Sequence, residues 1–248
     1  MEEKKIRLEI KRQDGPDAAP YWEEFEIPWG PSHNVISVLR EISKNPVNAA
    51  GQKVRPVVYD ANCMEEVCGA CSMLINGEVG QACSTLVDDL EQPIRLEPMT
   101  RFPLVRDLMV DRDKMFASLR KIRAWVDIDG SYDVGATGPR VSPGEWERNY
   151  IFARCMTCGC CMEVCPQFHQ GSDFVGPAPI GQAHRMVHHP TGRYHAEERL
   201  RPLMAKGGIG DCGNAQNCVQ VCPKDIPLTD AIADISRQTT IQWLKDIF

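Results

Sequence analysis

The sequence predicts an α+β protein with a sheet-containing N-terminal part and a mostly helical C-terminal part. Apolar and charged residues alternate at 6–11 and again at 21–28, which is the period of half-buried strands. Apolar residues then recur at helical spacing over 35–42, and beyond about residue 105 the two-residue period nearly disappears. We therefore predict one domain over 1–105 and a second over 147–248, joined by a connecting helix and loop at 106–146.

The N-terminal part is predicted to begin with a hairpin, because the alternating segments 6–11 and 21–28 follow each other closely. The helix over 35–42 has Ser32 or Asn34 as its cap and stops at Asn45 and Pro46. Further strands are predicted at 56–60 and 93–97. The Asn-Gly pair at 76–77 predicts a tight hairpin within 72–82. Together these elements make a compact α+β unit.

Beyond residue 105 the pattern is helical or irregular. Residues 111–126 carry apolar side chains at helical spacing, which predicts a core or interdomain helix. Residues 127–147 are rich in Gly, Pro and Asp and are interpreted as a loop. Helical stretches are expected near 147–154 and 229–246. Arg193, Arg199 and Arg201 are interpreted as solvated surface residues rather than a docking face.

Composition excludes several functions. The formal net charge is -6 with mixed signs, so we expect no nucleic-acid partner. No apolar run approaches the roughly 18 residues of a membrane span. The N-terminal segment MEEKKIRLEIKR has neither the apolar stretch of a secretory signal nor the composition of a transit peptide, so we expect a protein kept in a bacterial cytoplasm.

The chain contains 12 cysteines, which in an unexported protein favour metal binding over disulfides. The cysteines fall in three sets, which are Cys63, Cys68, Cys71 and Cys83, then Cys155, Cys158, Cys160, Cys161 and Cys165, then Cys212, Cys218 and Cys222. The spacing within each set decides which metal group is expected.

The first set has the spacing C-x4-C-x2-C from Cys63 to Cys71, with Cys83 further along the chain. This spacing is that of the plant-type 2Fe-2S site, in which three thiolates come from one loop and the fourth from a neighbouring segment. Gly69 would let the loop curl and direct backbone N–H groups at the cluster. Zinc and four buried small hydrophobes are the alternatives. A Rieske centre is disfavoured, because the set contains no histidine.

The second set lies in "CMTCGCCMEVCP" at 155–166, which has the bacterial two-cluster spacing C-x2-C-x2-C-x3-C-P. A broken copy, "CGNAQNCVQVCP", follows at 212–223. When the two are aligned on Cys-Pro, Ala215 stands where the copy lacks a cysteine. Zinc is again the alternative, but three cysteines within seven residues followed by Cys-Pro favour iron and sulfur.

In such pairs the fourth cysteine of each run binds the other cluster. The predicted ligands of a 4Fe-4S cluster are therefore Cys155, Cys158, Cys161 and Cys222. The predicted ligands of a 3Fe-4S cluster are Cys165, Cys212 and Cys218. Ala215 offers no thiolate for a fourth iron. Cys160 falls outside the spacing and is interpreted as a packed thiol that does not bind iron.

Nothing in the sequence predicts a catalytic residue in this chain. We find no Ser-His-Asp arrangement, no paired carboxylates and no flavin or nicotinamide fingerprint. His184 and His188 form an i, i+4 pair, but no acidic residue lies between them as in zinc proteases, so they are interpreted as surface or interdomain residues. The expected chemistry is electron relay alone.

The order of the three cysteine sets resembles the iron-sulfur subunits of succinate dehydrogenase and fumarate reductase over essentially the whole chain. The resemblance rests on "NCMEEVCGACSMLINGEVGQAC", "CMTCGCCMEVCP" and "CGNAQNCVQVCPKDIPLT". It implies a β-grasp 2Fe-2S ferredoxin domain followed by an all-α bacterial-type ferredoxin domain. It also implies an FAD-containing flavoprotein partner and a membrane-anchor cytochrome b partner, often with haem, and a peripheral position on the cytoplasmic face of the bacterial cell membrane.

The resemblance further implies that the 3Fe-4S end lies nearest a quinone and the 2Fe-2S end nearest the flavin. Ubiquinone-reducing relatives carry a tryptophan after the first Cys-Pro and a histidine after the first cysteine of the broken copy. This chain has His169, Gln170 and Gly213 in those regions, so we expect menaquinone. Quinol:fumarate reductase is the alternative assignment, followed by a stand-alone multi-cluster ferredoxin or redox sensor.

Overall fold

The computed structural model describes residues 4–127, 130–135 and 137–248, and these form two compact units. The first unit contains the described residues up to Arg112 together with Met156–Glu163. The second unit contains the described residues of Asp113–Cys155 and of Val164–Phe248. Part of the second cysteine set therefore belongs to the N-terminal unit. The domain boundaries expected from the sequence stay predictions.

A five-stranded mixed sheet forms the frame of the first unit. Its strands are β1 (Lys5–Arg12), β2 (Tyr21–Pro28), β3 (Ser72–Ile75), β4 (Glu78–Gln81) and β5 (Ile94–Glu97). The spatial order is β2-β1-β5-β3-β4, with β1 and β5 parallel and the other pairs antiparallel. Both predicted hairpins are present. Asn76 and Gly77 have φ of 49° and 85°, as the tight turn between β3 and β4 requires.

The core of the first unit lies between this sheet and the helix α1 (Val35–Lys44). Alternate residues of β1, such as Ile6 and Leu8, are fully buried there. Asn34 caps α1 as predicted, since its side chain accepts a hydrogen bond from the backbone N–H of Ser37 at 2.8 Å. The same side chain donates to the carbonyl oxygen of Cys83 at 2.8 Å. The helix start thus fixes the segment that carries the fourth cysteine of the first set.

The strand predicted at 56–60 is wrong, because this segment forms no regular secondary structure. Its apolar character reflects burial, since Val57 is only 4% exposed. Next to it a short hairpin of β6 (Leu104–Arg106) and β7 (Met109–Val110) brings in Asp107. The buried carboxylate of Asp107 accepts hydrogen bonds from Arg12 Nε and from the N–H of Val58, each at 3.0 Å. A buried ion pair therefore replaces strand pairing in this segment.

The second unit is mostly helical. Its helices are α2 (Asp113–Lys121), α3 (Pro143–Ala153), α5 (Pro177–Val187), α6 (Ala196–Met204), α7 (Asn217–Gln220) and α8 (Leu228–Ile247), while α4 (Cys160–Glu163) lies in the first unit. The predicted helices near 147–154 and 229–246 are confirmed as α3 and α8. Gly181 lets α5 and α8 approach closely, because a Cβ there would lie 2.8 Å from Leu228 Cδ2.

Two sequence predictions for the second unit are wrong in detail. The helix predicted over 111–126 ends at Lys121, and Phe116 and Trp125 are 44% and 43% exposed. Arg199, predicted to be solvated, is fully buried. Its guanidinium donates to the carbonyl oxygens of Arg123 at 3.0 Å and Trp125 at 2.7 Å. Those carbonyls follow the end of α2, so the arginine terminates the helix and orders the chain after it. Among the described residues, no helix is both long and apolar enough to cross a bilayer.

Candidate functional site

The loop that carries the first cysteine set directs backbone N–H groups at a sulfur atom. Cys63 Sγ accepts hydrogen bonds from the N–H groups of Val67 and Cys68, each at 3.3 Å, and of Glu65 at 3.5 Å. Positive φ values at Met64 (62°) and Gly69 (69°) give the loop the tight curl that this convergence needs. The backbone hydrogen bonds lower the pKa of Cys63 to about 7. The loop is therefore built to hold a thiolate.

The other members of the first set lie further inside the unit. Cys71 and Cys83 are only 3% and 7% exposed. Burial first, and then Cys83 and Cys68, raise the pKa of Cys71 to about 12. Four thiols that influence one another in this way cannot all ionise without a cation among them. The positive charge of bound iron would offset the repulsion between the thiolates and keep every thiol deprotonated. The donor set thus fits the predicted 2Fe-2S group, and the structure brings all four residues together.

Cys158, Cys160 and Cys161 lie in the part of the second set that packs in the first unit. Cys158 lies directly against the first loop, since a Cβ on Gly69 would be 2.6 Å from Cys158 Cα. The α4 helix is anchored by the buried carboxylate of Glu163, which accepts hydrogen bonds from Thr100 N at 2.8 Å and Arg101 N at 2.9 Å. The two cysteine-bearing segments of this unit are therefore held at van der Waals distance.

A hydrogen-bond network joins these two segments through Gln81 and Ser72. Gln81 Nε2 donates to Ser72 Oγ at 2.7 Å and to Cys160 Sγ at 3.3 Å, while Gln81 Oε1 accepts from Cys71 Sγ at 3.6 Å. Ser72 Oγ lies 3.0 Å from the carbonyl oxygen of Cys158. Cys160 is fully buried, and the hydrogen bond from Cys158 lowers its pKa. The assignment of Cys160 as a thiol that does not bind iron therefore stays a prediction from the cysteine spacing.

Arg112 places a positive charge between the same segments. Its guanidinium donates to the carbonyl oxygens of Gly69 at 2.5 Å and Ala70 at 2.6 Å. Burial lowers the pKa of Arg112, and the charge of Asp60, followed by those of Cys158, Cys160 and Cys71, opposes this shift. Its Nε is buried and has no hydrogen-bond partner. A buried cation with a donor to spare fits an anionic group held by the neighbouring thiolates.

One cysteine of the second set and two of the third line a cavity inside the second unit. Cys165, Cys212 and Cys218 line it together with Ala215, and its empty volume, part of which is open to solvent, is about 380 Å³. Burial, followed by the charges of Cys165 and Cys212, raises the pKa of Cys218 to about 11. Three thiols thus face one cavity, and a methyl group stands beside them. This donor set fits the predicted 3Fe-4S cluster.

The remaining predicted ligands are divided between the units. Cys155 and Cys222 belong to the second unit, whereas Cys158 and Cys161 belong to the first. Cys222 Sγ accepts a hydrogen bond from the N–H of Ile226 at 3.5 Å. The grouping of Cys155, Cys158, Cys161 and Cys222 around one cluster therefore stays a prediction based on spacing.

Gln81 and Arg112 were missed by sequence reasoning. Each is an ordinary polar residue without a motif, and each reaches the cysteines only through folding. Gln81 ends β4, where the register of the β3–β4 hairpin sets it opposite Ser72. That register follows from the Asn-Gly turn. The turn was therefore the sequence signal from which the position of Gln81 could have been predicted. For Arg112 we find no such signal in the sequence.

The two parts of the chain match two known domain families. Residues 7–117 match the family described as a 2Fe-2S iron-sulfur cluster binding domain, and residues 151–226 match the 4Fe-4S dicluster domain. These matches confirm the predicted α+β class and the predicted 2Fe-2S and 4Fe-4S cofactors.

A comparison over the full length decides the family. The chain is 55% identical over 247 residues to the succinate dehydrogenase iron-sulfur subunit of Bacillus subtilis strain 168, covering 100% of this chain and 97% of that protein. The chain belongs to the succinate dehydrogenase and fumarate reductase iron-sulfur subunit family. This confirms the resemblance inferred from the cysteine motifs.

Other members of the family are more distant. The fumarate reductase iron-sulfur subunit of Escherichia coli O6:H1 is 30% identical over 248 residues, covering 99% of this chain and 96% of that protein. Among solved structures, a chain titled as the Mycobacterium smegmatis Sdh1 complex in the apo form superposes with a TM-score of 0.78 at 21% identity, covering 97% of both chains. At this identity the superposition supports the fold alone.

Proposed function

We propose that this chain is the electron-transfer subunit of a membrane-bound succinate:quinone oxidoreductase. The observation that carries the proposal is the grouping of thiols, four in the first unit and three around one cavity of the second, in a chain 55% identical over its length to a succinate dehydrogenase iron-sulfur subunit. The clusters, when bound, supply one-electron redox chemistry. The chain's own residues hold them, exclude water from them and set the charge around them.

We assign the three clusters to the cysteines by the spacing of the cysteine motifs, and the contacts around Cys63, Cys71 and Cys218 support the first and third assignments. The 2Fe-2S cluster is held by Cys63, Cys68, Cys71 and Cys83. The 4Fe-4S cluster is held by Cys155, Cys158, Cys161 and Cys222. The 3Fe-4S cluster is held by Cys165, Cys212 and Cys218. In this assignment Ala215 prevents a fourth iron at the last site, because its methyl group has no lone pair.

The proposal includes two partners and a quinone. An FAD-containing flavoprotein subunit delivers electrons from succinate, and a membrane-anchor cytochrome b subunit holds the chain at the cytoplasmic face of the bacterial membrane. The quinone lies near the 3Fe-4S end and is menaquinone. The sequence departures that support this choice are His169 and Gln170 where a ubiquinone-reducing relative carries tryptophan after the first Cys-Pro, and Gly213 where it carries histidine after Cys212.

Quinol:fumarate reductase is the second candidate, and the 30% identity to the Escherichia coli fumarate reductase subunit favours it as a specific alternative. The same residues serve both directions of electron flow. Potentiometric titration of the clusters together with the native quinone separates the two candidates. A quinone potential above that of the fumarate/succinate couple supports succinate oxidation, and a quinone potential below it supports fumarate reduction.

Affinity purification of the tagged chain from gently solubilised membranes tests the proposal as a whole. We expect stoichiometric FAD and haem in the purified material, with succinate reducing the clusters and then added menaquinone. Recovery of the chain alone, without flavin or haem, would instead assign it as a free-standing carrier. Electron paramagnetic resonance during stepwise reduction should resolve three separate iron-sulfur signals.

A further inference from the structure

A second group of metal-ligating side chains lies in the second unit, apart from every cysteine. His184 on α5, His188 at the end of α5 and Asp234 on α8 place their ligand atoms within 4.8 Å of one another. His184 Nδ1 is 3.1 Å from Asp234 Oδ2, and His188 Nε2 is 2.7 Å from the same oxygen. Two imidazoles and one carboxylate form the donor set that zinc takes in many open sites.

The orientation of these side chains is fixed by their neighbours. Arg237 Nη2 donates to the other carboxylate oxygen of Asp234 at 2.8 Å, so Oδ2 is left facing the imidazoles. The ring of Phe152 packs on the ring of His184 with their centroids 4.5 Å apart. Outer contacts of this kind orient metal ligands in known sites. The arrangement is thus prepared before any ion arrives.

Binding of a cation displaces protons from this group. A carboxylate oxygen only accepts hydrogen bonds, so His184 Nδ1 and His188 Nε2 carry protons in their contacts with Asp234 Oδ2, and an incoming ion replaces them. Burial, together with the charge of His188, lowers the pKa of His184, which favours its neutral form. Burial raises the pKa of Asp234, but the hydrogen bonds from His188 and Arg237 outweigh it and keep the carboxylate ionised.

The surrounding cavity provides space and an unused acceptor. It has a volume of about 660 Å³ and is lined by His184, His188, Asp234, Asp230 and Asn149 among others. Asn149 Nδ2 donates to the carbonyl oxygen of His188 at 2.9 Å, but Asn149 Oδ1 is buried and has no hydrogen-bond partner. A water molecule on a bound cation would donate to that oxygen. Asn149 lines the same cavity as the imidazoles and the carboxylate, so its Oδ1 is available to accept from such a water.

We propose that His184, His188 and Asp234 bind a divalent transition-metal ion of the zinc type, with water completing its coordination against Asn149. Such an ion joins α5 to α8 within the second unit. Asp230, one helical turn before Asp234, faces the same cavity and adds negative charge. The sequence alone missed this group because the acidic ligand comes from a different helix, 46 residues after His188.

Zinc binding by the full chain in its native complex tests the proposal. The complex is treated with chelator, equilibrated with Zn²⁺ and analysed for zinc and iron by mass spectrometry, with affinity measured by titration calorimetry. We expect the wild type to bind one more zinc per chain than a His184→Gln/His188→Gln variant. Asp234→Asn should weaken that zinc at least ~10-fold. The matched control is His195→Gln, since His195 pairs with Glu198 outside the cluster, and it should bind zinc like the wild type.

Anomalous diffraction from the wild-type complex at the zinc edge provides a readout that does not depend on the folding of any variant. A peak bonded to His184 Nδ1, His188 Nε2 and Asp234 Oδ2 supports the proposal. Equal zinc content in the wild type and the double variant, or anomalous peaks at other sites only, overturns it.

Discussion

The cysteine site of the first unit and the three-cysteine cavity of the second unit use the same thiol chemistry with different numbers of donors. In the first unit four thiols interact, and backbone N–H groups of a curled loop stabilise Cys63 as a thiolate. In the second unit Cys165, Cys212 and Cys218 face a cavity whose remaining wall includes Ala215. We predict that the side chain at position 215 decides whether this cavity holds three or four irons.

The two regions also differ in their surroundings. The first is tied by Gln81, Ser72 and Arg112 to the segment carrying Cys158, so its electrostatics are shared with a second group of thiols. The three-cysteine cavity is lined by residues of the second compact unit. We therefore expect changes around Gln81 and Arg112 to alter the first site and leave the three-cysteine cavity unaffected.

The largest effect is expected from Cys71→Ala, which removes one of four thiolates from a buried position. We predict loss of the 2Fe-2S signal in electron paramagnetic resonance, with the signal of the oxidised 3Fe-4S centre unchanged. Cys160→Ala is the matched control, because Cys160 is equally buried but is assigned no iron, and it should retain all three signals. If Cys160→Ala also lost a cluster, the ligand assignment would be wrong.

Gly69→Ala should break the contact between the two cysteine segments of the first unit. The new Cβ would lie 2.6 Å from Cys158 Cα, and the backbone has φ of +69°. We expect about 2 kcal/mol or more of destabilisation from the clash and the strained backbone together. Thermal denaturation and iron retention measure this loss.

Gly77→Ala serves as the control for that substitution. Gly77 has φ of +85°, but nothing lies within 4 Å of a Cβ there. Only the backbone cost of roughly 1 kcal/mol should remain. Equal losses of stability in Gly69→Ala and Gly77→Ala would show that the contact between Gly69 and Cys158 contributes nothing to stability.

Most of the fold and the three cysteine sets could be predicted from the sequence because their signals are local. Period-two segments, the Asn34 cap and the Asn76-Gly77 turn all act within a few residues, and the cysteine spacing is a motif in itself. The burial of Val57 without a strand could not be predicted, since it depends on an ion pair between Arg12 and Asp107, which are distant in sequence.

Contacts between residues distant in sequence also explain what could not be predicted around the cysteine sites. α5 and α6 were missed, and the buried role of Arg199 depends on carbonyl groups that only folding places beside it. Arg112 and Gln81 likewise reach the cysteines through tertiary packing. Local patterns therefore identified the groups that hold iron, but not the polar residues that surround them.

Arg112→Met tests whether the first unit tunes its clusters by charge. A nearby cation favours the more negative, reduced state, so its removal should lower the potentials of the 2Fe-2S and 4Fe-4S centres. A lost interaction of ~1.4 kcal/mol corresponds to about 60 mV for one electron. Redox titration followed by electron paramagnetic resonance measures the shift.

Arg112→Lys restores the charge and should recover much of that potential. Arg95→Met removes an exposed arginine of β5 that pairs with Glu9 and should cause no shift. A change in the 3Fe-4S potential as large as that of the 2Fe-2S centre would contradict a specific effect of Arg112 on the thiols of the first unit.

Gln81→Leu should give the smallest effect. It removes neutral hydrogen bonds to Ser72 and Cys160, and a differential loss of ~0.5 kcal/mol corresponds to about 20 mV for one electron. The same titration should show this shift at the 2Fe-2S centre with the 3Fe-4S potential unchanged. If Gln81→Leu leaves the 2Fe-2S potential unchanged, the hydrogen bonds of Gln81 have a structural role only.

The most direct test is electron paramagnetic resonance of oxidised, anaerobically prepared Ala215→Cys beside the wild type. It asks whether the number of thiolates at the three-cysteine cavity sets the number of irons bound there. The wild type should contain about nine irons per chain and show the oxidised 3Fe-4S signal. In Ala215→Cys that signal should fall as a 4Fe-4S centre forms with the added thiolate. An undiminished 3Fe-4S signal in Ala215→Cys, with full iron content, would contradict the assignment of Cys165, Cys212 and Cys218 as a site completed by the residue at 215.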